Sequence, residues 1–442
     1  METEKVVLIN VYYSESGYGD KLNFPPLGIA YISEYLDEKK IDHLIIDMGL
    51  GISSDEVLEE INHIKPSWIG ISLNSLHIEK SKKLMEKLRI NNPSTRMVVG
   101  GPHVTTQGKK IFEKLDFIDY AIIGEGEESF YELIINKPKS EIKGLVYKDD
   151  SKTIYFNERR ITPNIETLPF PKFSKFKLDL YQKKTVPIIS SRGCPFKCIF
   201  CQQSSLLSKE WRGVSAEHFI EIIKYWKNRG YHEIQILDDN FTFDSNRLKR
   251  MVELYEQEKI TDIKLVLVGG VRVSSSTKEN LLFLKKLGVD YLSFGIESFS
   301  DPVLNFIKKG TTEKKIEEAI INAVELNFKI RLFFIIGFPY QTVESLRKTY
   351  KFLLKYPIYQ VRFFNLIPYE NTALMDWLES NGELIYPSIV FMSNFKQFQD
   401  IPVFRAKYTL SPEERVKELK LARNFEKLIS ERAKYLFDEL ET

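Results

Sequence analysis

Residues 190–201 read Ser190-Ser191-Arg192-Gly193-Cys194-Pro195-Phe196-Lys197-Cys198-Ile199-Phe200-Cys201. The chain has 442 residues and three cysteines, and all three lie in this window. An odd, tightly clustered set is a poor disulfide framework. In a reducing compartment it reads as a metal or redox site. Thiolates are soft ligands that suit iron–sulfur clusters or zinc. The spacing Cys-x3-Cys-x2-Cys lets one short loop wrap a compact cluster. A 4Fe–4S cubane has four irons, and most protein cubanes use four cysteines. With no fourth cysteine in the chain, one iron must take a different ligand. A structural zinc would want a fourth Cys or His at finger spacing. The nearest histidines, His218 and His232, form no paired motif.

The window follows an apolar run, Val186–Ser190, that reads as a strand. Five more strand candidates follow it: Glu233–Leu237, Lys264–Val268, Tyr291–Phe294, Ile330–Ile336 and Gln360–Leu366. Helix-like stretches separate them. Such a strand–helix run predicts a partial (β/α)6, TIM-like barrel over 186–370. Upstream, Val6–Asn10, His43–Asp47, Trp68–Ser72, Met97–Val99 and Tyr120–Ile123 alternate with helical patterns. Short continuous apolar strands with helical spacers predict a doubly wound, Rossmann-like parallel sheet over 1–140. Ligands of such sheets sit outside the carboxyl ends of the strands. Residues 141–185 read as a hairpin and linker, ending in the proline-spaced Leu168-Pro169-Phe170-Pro171. The tail, 371–442, reads as a mostly helical extension. Ser411-Pro412-Glu413-Glu414 marks a helix start, with Ser411 as N-cap and Glu414 as its capping-box partner. The fold class is therefore α/β in two domains.

Hydrophobic residues make up 43% of the chain and charged residues 28%, the profile of a globular protein. Lys and Arg number 63 against 61 Asp and Glu, so the net charge is only +2. That balance points away from a dedicated nucleic-acid module. No apolar run is long enough to span a membrane. No cationic-then-apolar leader heads the sequence. The expectation is a cytoplasmic protein.

Cys194-x3-Cys198-x2-Cys201, with aromatic Phe200 before the last cysteine, resembles the signature of radical S-adenosylmethionine (SAM) enzymes. Their fold is a partial barrel with the cluster loop after the first strand. The resemblance implies a 4Fe–4S cluster on Cys194, Cys198 and Cys201. SAM would chelate the open iron and be cleaved to a 5′-deoxyadenosyl radical. An electron donor such as flavodoxin or ferredoxin is implied as partner. Segments at later strand ends match in order: Asp238-Asp239-Asn240, Gly269-Gly270-Val271-Arg272, Gly295-Ile296-Glu297-Ser298 and Gly337-Phe338-Pro339. They imply SAM contacts from Phe200, Asp238, Asp239, Arg272, Glu297, Ser298 and Gly337.

Residues 5–140 resemble the cobalamin-binding domain that precedes many such barrels. The matching segments imply cobalamin contacts from Pro26, Leu27, Gly28, Ser72, Asn74, Gly100, Gly101, Pro102, Gly124 and Glu125. Many cobalamin domains carry Asp-x-His-x-x-Gly, whose histidine ligates cobalt from below. The corresponding region here reads Asp47-Met48-Gly49-Leu50-Gly51. Gly49 stands where the histidine would be, so a base-off cofactor without a histidine lower ligand is implied. His77 and His103 read as surface or loop histidines, and Tyr12, Tyr13, Tyr18 and Tyr369 as surface loop residues.

The resemblance implies a cobalamin-dependent radical SAM enzyme that methylates an unactivated carbon. The substrate would be a small molecule, a lipid or a peptide. Radical cyclisation, rearrangement or carbon–carbon bond formation without methyl transfer is one alternative. A non-catalytic cobalamin or iron–sulfur sensor is another.

Overall fold

The computed structural model describes residues 5–13, 23–181, 183–206 and 208–438. Tyr18 lies outside the described residues. The chain divides into two compact units, 1–187 with 392–395 and 188–391 with 396–442.

The first unit is built on β1 (Val6–Asn10), β2 (His43–Asp47), β3 (Trp68–Ser72), β4 (Arg96–Gly100), β5 (Tyr120–Ile122), β6 (Leu145–Lys148) and β7 (Ile154–Phe156). Their order in the sheet is β2-β1-β3-β4-β5-β6-β7. The first five are parallel. Val6, Val7, Leu8 and Ile9 are all buried, as a strand covered by helices on both faces requires. Helix Ser54–Ile64 starts at a capping box made by Ser53 and Glu56.

The hairpin is not a separate linker element, as 141–185 had been read. β6 pairs antiparallel with β5, and β7 with β6, so both extend the sheet. The reason is burial. Leu145 and Val146 are fully buried and face Ile122 and Ala121 across the ladder. A three-residue β5 left as an edge would expose them.

The chain runs from β1 outward to β2, then back across to β3 on the other side. The strand order therefore reverses at the carboxyl ends of β1 and β3, which is where ligands of open α/β sheets bind. Register puts Asp47, Asn10, Ser72 and Gly100 in one row along that edge.

The second unit opens on the last residue of β8 (Val186–Ile188) and continues with β9 (Ser191–Arg192) and β10 (Arg212–Gly213), the last two an antiparallel pair. Then come β11 (Glu233–Ile236), β12 (Lys264–Leu267), β13 (Tyr291–Glu297), β14 (Lys329–Ile336) and β15 (Gln360–Asn365). The barrel strands form two arcs, β12-β11-β8 and β13-β14-β15. A single parallel bridge, Val271 to Phe294, joins them. Residues beyond β15 add helix Ala373–Asn381, the antiparallel pair β16 (Gly382–Leu384) and β17 (Phe404–Ala406), and helix Pro412–Asp438. That last helix begins at the anticipated cap: Glu414 N donates to Ser411 Oγ (3.2 Å) and Ser411 N to Glu414 Oε2 (2.8 Å).

The same helix covers the open edge of β15. Phe363 N donates to Glu426 Oε1 (2.6 Å), and Arg423 Nη1 donates to Phe363 O (2.7 Å). An uncovered edge strand is an invitation to pair with another chain, and these side chains remove it. Among the described residues no helix is long and apolar enough to cross a membrane.

Candidate functional site

The cysteine loop is fixed from several directions. Asp238, at the end of β11, accepts hydrogen bonds from Ser190 N (2.6 Å), Ser190 Oγ (2.7 Å) and Ser191 Oγ (2.6 Å). Arg247 Nη2 donates to Ser190 O (2.9 Å). These bonds set where the chain leaves β8. Gly193 then takes φ +90°, and a Cβ there would lie 2.1 Å from Glu210 O. Only glycine fits that crossing. Cys194 N donates to Ser208 O (3.1 Å) and Cys201 N to Cys198 O (3.2 Å).

Cys198 is buried and the other two thiols are half-buried. Burial pushes the Cys194 thiol up, and the Cys201 thiol up to about 11. Thiolates here need a positive partner beyond the protein, which an iron–sulfur cluster supplies on binding. Among the described residues no three His, Cys, Asp or Glu side chains converge as ligands of one ion. A cubane instead places each thiolate on its own iron. The donor set fits the group.

Charge is arranged around the loop. Arg272 Nη1 donates to Cys198 Sγ (3.5 Å), and its guanidinium lies 3.5 Å from the Phe196 ring centroid. Arg272 Nη2 also donates to Lys309 O. Lys309 Nζ pairs with Glu297 Oε1 at 2.8 Å and stands 5.7 Å from the Phe200 centroid. Both charges act on cysteines: Lys309 favours the Cys201 thiolate and Arg272 the Cys194 thiolate. Asp239 acts on Cys194 with the opposite sign. Burial first, then neighbouring Asp238, pushes the Asp239 carboxyl up to about 6.

Of the sequence-derived residues of this half, Arg272 touches the loop, Glu297 reaches it through Lys309, and Asp239 acts on Cys194. Asp238 is spent inside the protein on Ser190 and Ser191, leaving Asp239 as the carboxylate at the loop. Ser298 is buried at the end of β13. Lys309 was missed. It sits in Lys308-Lys309-Gly310, which reads as a solvated charge run, yet Lys309 is only 8% exposed. Its distance of twelve residues from Glu297 was the one available signal.

At the carboxyl edge of the first unit, Ser72 and Gly100 end β3 and β4, and Asn74, Gly101 and Gly124 follow strand ends. Gly101 takes φ +94°, and a Cβ there would lie 2.9 Å from both Leu73 O and Ser72 Oγ. Pro102 starts the short helix Pro102–Gln107. Some side chains are used locally. Asn74 Oδ1 accepts from Leu76 N (3.0 Å), Thr105 Oγ1 from Gly124 N (3.0 Å), and Glu125 Oε2 from Thr162 N (2.8 Å). Pro26 caps helix Leu27–Glu38, with Leu27 buried. Gly28 is exposed, and a Cβ there would meet nothing within 4 Å.

Asp47 ends β2 and is buried. It accepts from Asn10 Nδ2 (2.7 Å), Gly49 N (2.9 Å) and the Tyr181 hydroxyl (2.5 Å). His77 and His103 are buried, not surface residues. His77 packs against Tyr12 and Tyr13, with ring centroids 5.3 and 5.9 Å away. Burial, helped by Lys80, lowers it to about 4, so it is neutral at physiological pH. Tyr12 is buried as well, against the reading of it as a surface residue; aromatic packing on His77 is the reason.

The radical SAM superfamily model matches residues 188–353, and the B12 binding domain model matches residues 20–134. An uncharacterised methyltransferase of Pyrococcus horikoshii, PH0819, is 30% identical over 398 residues, covering 88% of this chain and 84% of that protein. The anaerobic magnesium-protoporphyrin IX monomethyl ester cyclase of Rubrivivax gelatinosus is 25% identical over 372 residues, 78% of this chain and 65% of the cyclase. Two solved structures share the fold. The radical SAM methyltransferase TsrM from Kitasatospora setae has a TM-score of 0.70 at 14% identity, over 81% of this chain and 72% of that one. The cobalamin-dependent SAM radical enzyme OxsB has a TM-score of 0.71 at 20% identity, over 92% of this chain and 57% of that one. With both domain models matched in order and a relative aligned along most of its length, the chain belongs to the cobalamin-dependent radical SAM enzymes, which work with a 4Fe–4S cluster, SAM and cobalamin.

Proposed function

We propose that the protein methylates an unactivated carbon of a small-molecule, lipid or peptide substrate, with the cluster held by Cys194, Cys198 and Cys201. One observation carries the SAM half. Around a loop one thiol short of a full cubane set stand a carboxylate, Asp239, and two cations, Arg272 and Lys309. An amino acid chelating the open iron would bind through its neutral amine, which keeps N–H donors, and its carboxylate, and this set complements both. When bound, the cluster supplies the electron that cleaves SAM, and cobalamin supplies the carrier for the methyl group.

The chain's own residues do the rest. Asp239, once its carboxyl has lost its proton, would accept from the N–H groups of that amine. Lys309 and Arg272 take the carboxylate, with Glu297 holding Lys309 in place beforehand. Phe200, Ser298 and Gly337 shape the remainder of that site within 186–370. Cobalamin is assigned to 1–140, along the edge of Ser72, Asn74, Gly100, Gly101, Pro102, Gly124 and Glu125, with Pro26, Leu27 and Gly28 at the helix start. Its lower face takes no histidine from the Gly49 segment. A flavodoxin or ferredoxin delivers the electron. Three free thiols suit a reducing, cytoplasmic setting.

The Pyrococcus relative, a methyltransferase by name, supports methyl transfer. The Rubrivivax cyclase supports a second reading, radical ring closure without methyl transfer. The test is anaerobic reconstitution with iron, sulfide and hydroxocobalamin. SAM with a deuterated methyl group, a strong reductant and cell extract as substrate source then follow. Mass spectrometry should find 5′-deoxyadenosine together with a labelled product. Nucleoside without any labelled product favours the second reading. Bound cofactors with no SAM cleavage leave a sensor, and neither cofactor bound sinks the assignment.

A further inference from the structure

From sequence, residues 371–442 read as a mostly helical extension whose Trp377 and Phe391 to Phe404 shape a substrate pocket, yet they also hold the cysteine loop at two points. The first is backbone. Leu374 N, in the first turn of helix Ala373–Asn381, donates to Ile199 O (3.0 Å), while Ile199 N donates to Ile307 O (3.1 Å). The middle of Cys198-Ile199-Phe200-Cys201 is stitched to the extension.

The second point runs through side chains and starts at Arg415, in the first turn of helix Pro412–Asp438. Arg415 is 0% exposed. Its Nη2 donates to the Phe404 carbonyl, and its guanidinium lies 4.2 Å from the Phe404 ring centroid. Nε and Nη1 find no acceptor among the described residues. The side chain fills the space that Gly337 leaves open. A Cβ on Gly337 would sit 3.1 Å from Arg415 Cδ and 3.4 Å from Nη1. Gly337 directly follows β14, and the next residue, Phe338, is 0% exposed. The Phe338 ring meets Phe200, inside the cysteine loop, edge-on at 5.3 Å.

A buried guanidinium without a carboxylate on it is a costly way to fill space, which Leu or Met would fill without that cost. What Arg adds is a flat, stiff plate with a donor at its rim. Here the plate lies between the Phe404 ring and the Gly337 backbone, and the donor ties it to β17. We propose that Arg415 is a positioning residue for the cluster loop. It backs the Gly337–Phe338 turn, so that Phe338 holds Phe200 against the cysteines. This rests on the reading that the loop carries the cluster and receives SAM. It gives the C-terminal extension a part in the radical site rather than a packing role alone.

The test uses the full chain, reconstituted anaerobically, as wild type, R415M and R415K. R415M keeps the stem and loses the plate; R415K keeps the charge. Iron per chain, the melting temperature and the SAM-induced change in the electron paramagnetic resonance spectrum of the reduced cluster are measured. A small displacement of a supporting group is expected to weaken SAM binding about 10-fold in R415M and about 3-fold in R415K, with iron content unchanged. At saturating SAM, kcat for 5′-deoxyadenosine formation should stay within about two-fold of wild type. Wild-type SAM affinity in both variants overturns the proposal. Iron lost in step with affinity reduces Arg415 to a structural strut and overturns it too. If R415M does not fold, R415K decides by the same criteria. A wild-type protein whose cluster ignores SAM sinks the underlying reading, and this inference falls with it.

Discussion

The cysteine loop and the carboxyl edge of the N-terminal sheet are both made of chain leaving strand ends, but the chain builds them by different means. The loop is gripped by side chains: Asp238, Arg247 and Arg272 reach it from three other segments. Its chemistry lies in thiols, a rare residue type with few bland uses. The edge is held mostly by backbone. Leu73 N donates to Gly100 O (2.8 Å) and His103 N to Leu73 O (3.2 Å). Its nearby polar side chains, Asn74 and Glu125, are occupied by Leu76 N and Thr162 N. A site of the first kind fails when a side chain changes. A site of the second kind fails when a Cβ appears.

The largest effect separates the two regions outright. Cys198→Ala removes a buried thiol from the loop, which lies in the second unit. Iron per chain should fall sharply and 5′-deoxyadenosine formation should drop to background. Cobalamin bound per chain, read from its visible absorption, should stay at the wild-type level. Joint loss of both cofactors would break the division into two independently loaded regions.

A pair of glycine substitutions probes the edge. Gly101→Ala forces a Cβ into φ +94° with two oxygens 2.9 Å away. It should cost roughly 1–3 kcal/mol and lower the melting temperature of the cofactor-free protein. Gly28→Ala places its Cβ where nothing lies within 4 Å, in the first turn of a helix. It should leave stability unchanged or raise it by up to about 1 kcal/mol. Its cobalamin affinity should nevertheless fall, since the open space is where the ligand is assigned. Spectrophotometric titration with hydroxocobalamin checks this. Unaltered affinity in Gly28→Ala would remove the helix start from the site.

Legibility followed the same line. The parallel sheet was visible because β1, β3 and β4 are largely buried and read as nearly unbroken apolar runs, while β2 exposes Leu44. The barrel strands β14 and β15 alternate in burial but still carry apolar runs, and the cysteines announced themselves by their scarcity. The hairpin was legible as a hairpin but not as part of the sheet. Its pairing with β5 joins residues about 25 apart in sequence, and no local pattern encodes that choice. Lys309 was hidden because a lysine in a charged run looks the same whether it is solvated or turned inward. Arg415 was hidden for the same reason, lying in Pro412-Glu413-Glu414-Arg415. Asp238 and Asp239 are adjacent and alike in sequence. Only the serines bonded to Asp238 tell them apart.

That last pair yields the smallest effect and the finest test. Burial raises the Asp239 carboxyl to about 6, so the folded protein holds this proton more tightly than the unfolded chain does. A raised carboxyl stabilises the fold fully below the unfolded value, near 4, and that contribution is lost as pH climbs through the folded one. The cofactor-free wild type should therefore lose stability between about pH 4 and pH 6 from this group. Asp239→Asn carries no such proton. Allowing for partial exposure, its melting temperature relative to wild type should rise by roughly 2–4 °C across that window. Asp47, also raised by burial, is present in both proteins and cancels in the difference, whereas Asp238, whose charge acts on Asp239, belongs to the shift being tested. SAM reverses the sign. The N–H groups of its chelating amine favour the ionised carboxylate, so wild-type SAM affinity should weaken more steeply as pH falls below 6 than that of Asp239→Asn, which should be weak throughout. Parallel pH profiles for the two proteins would mean that Asp239 does not meet the amine. The loop's charge recognition would then fall to Arg272 and Lys309 alone.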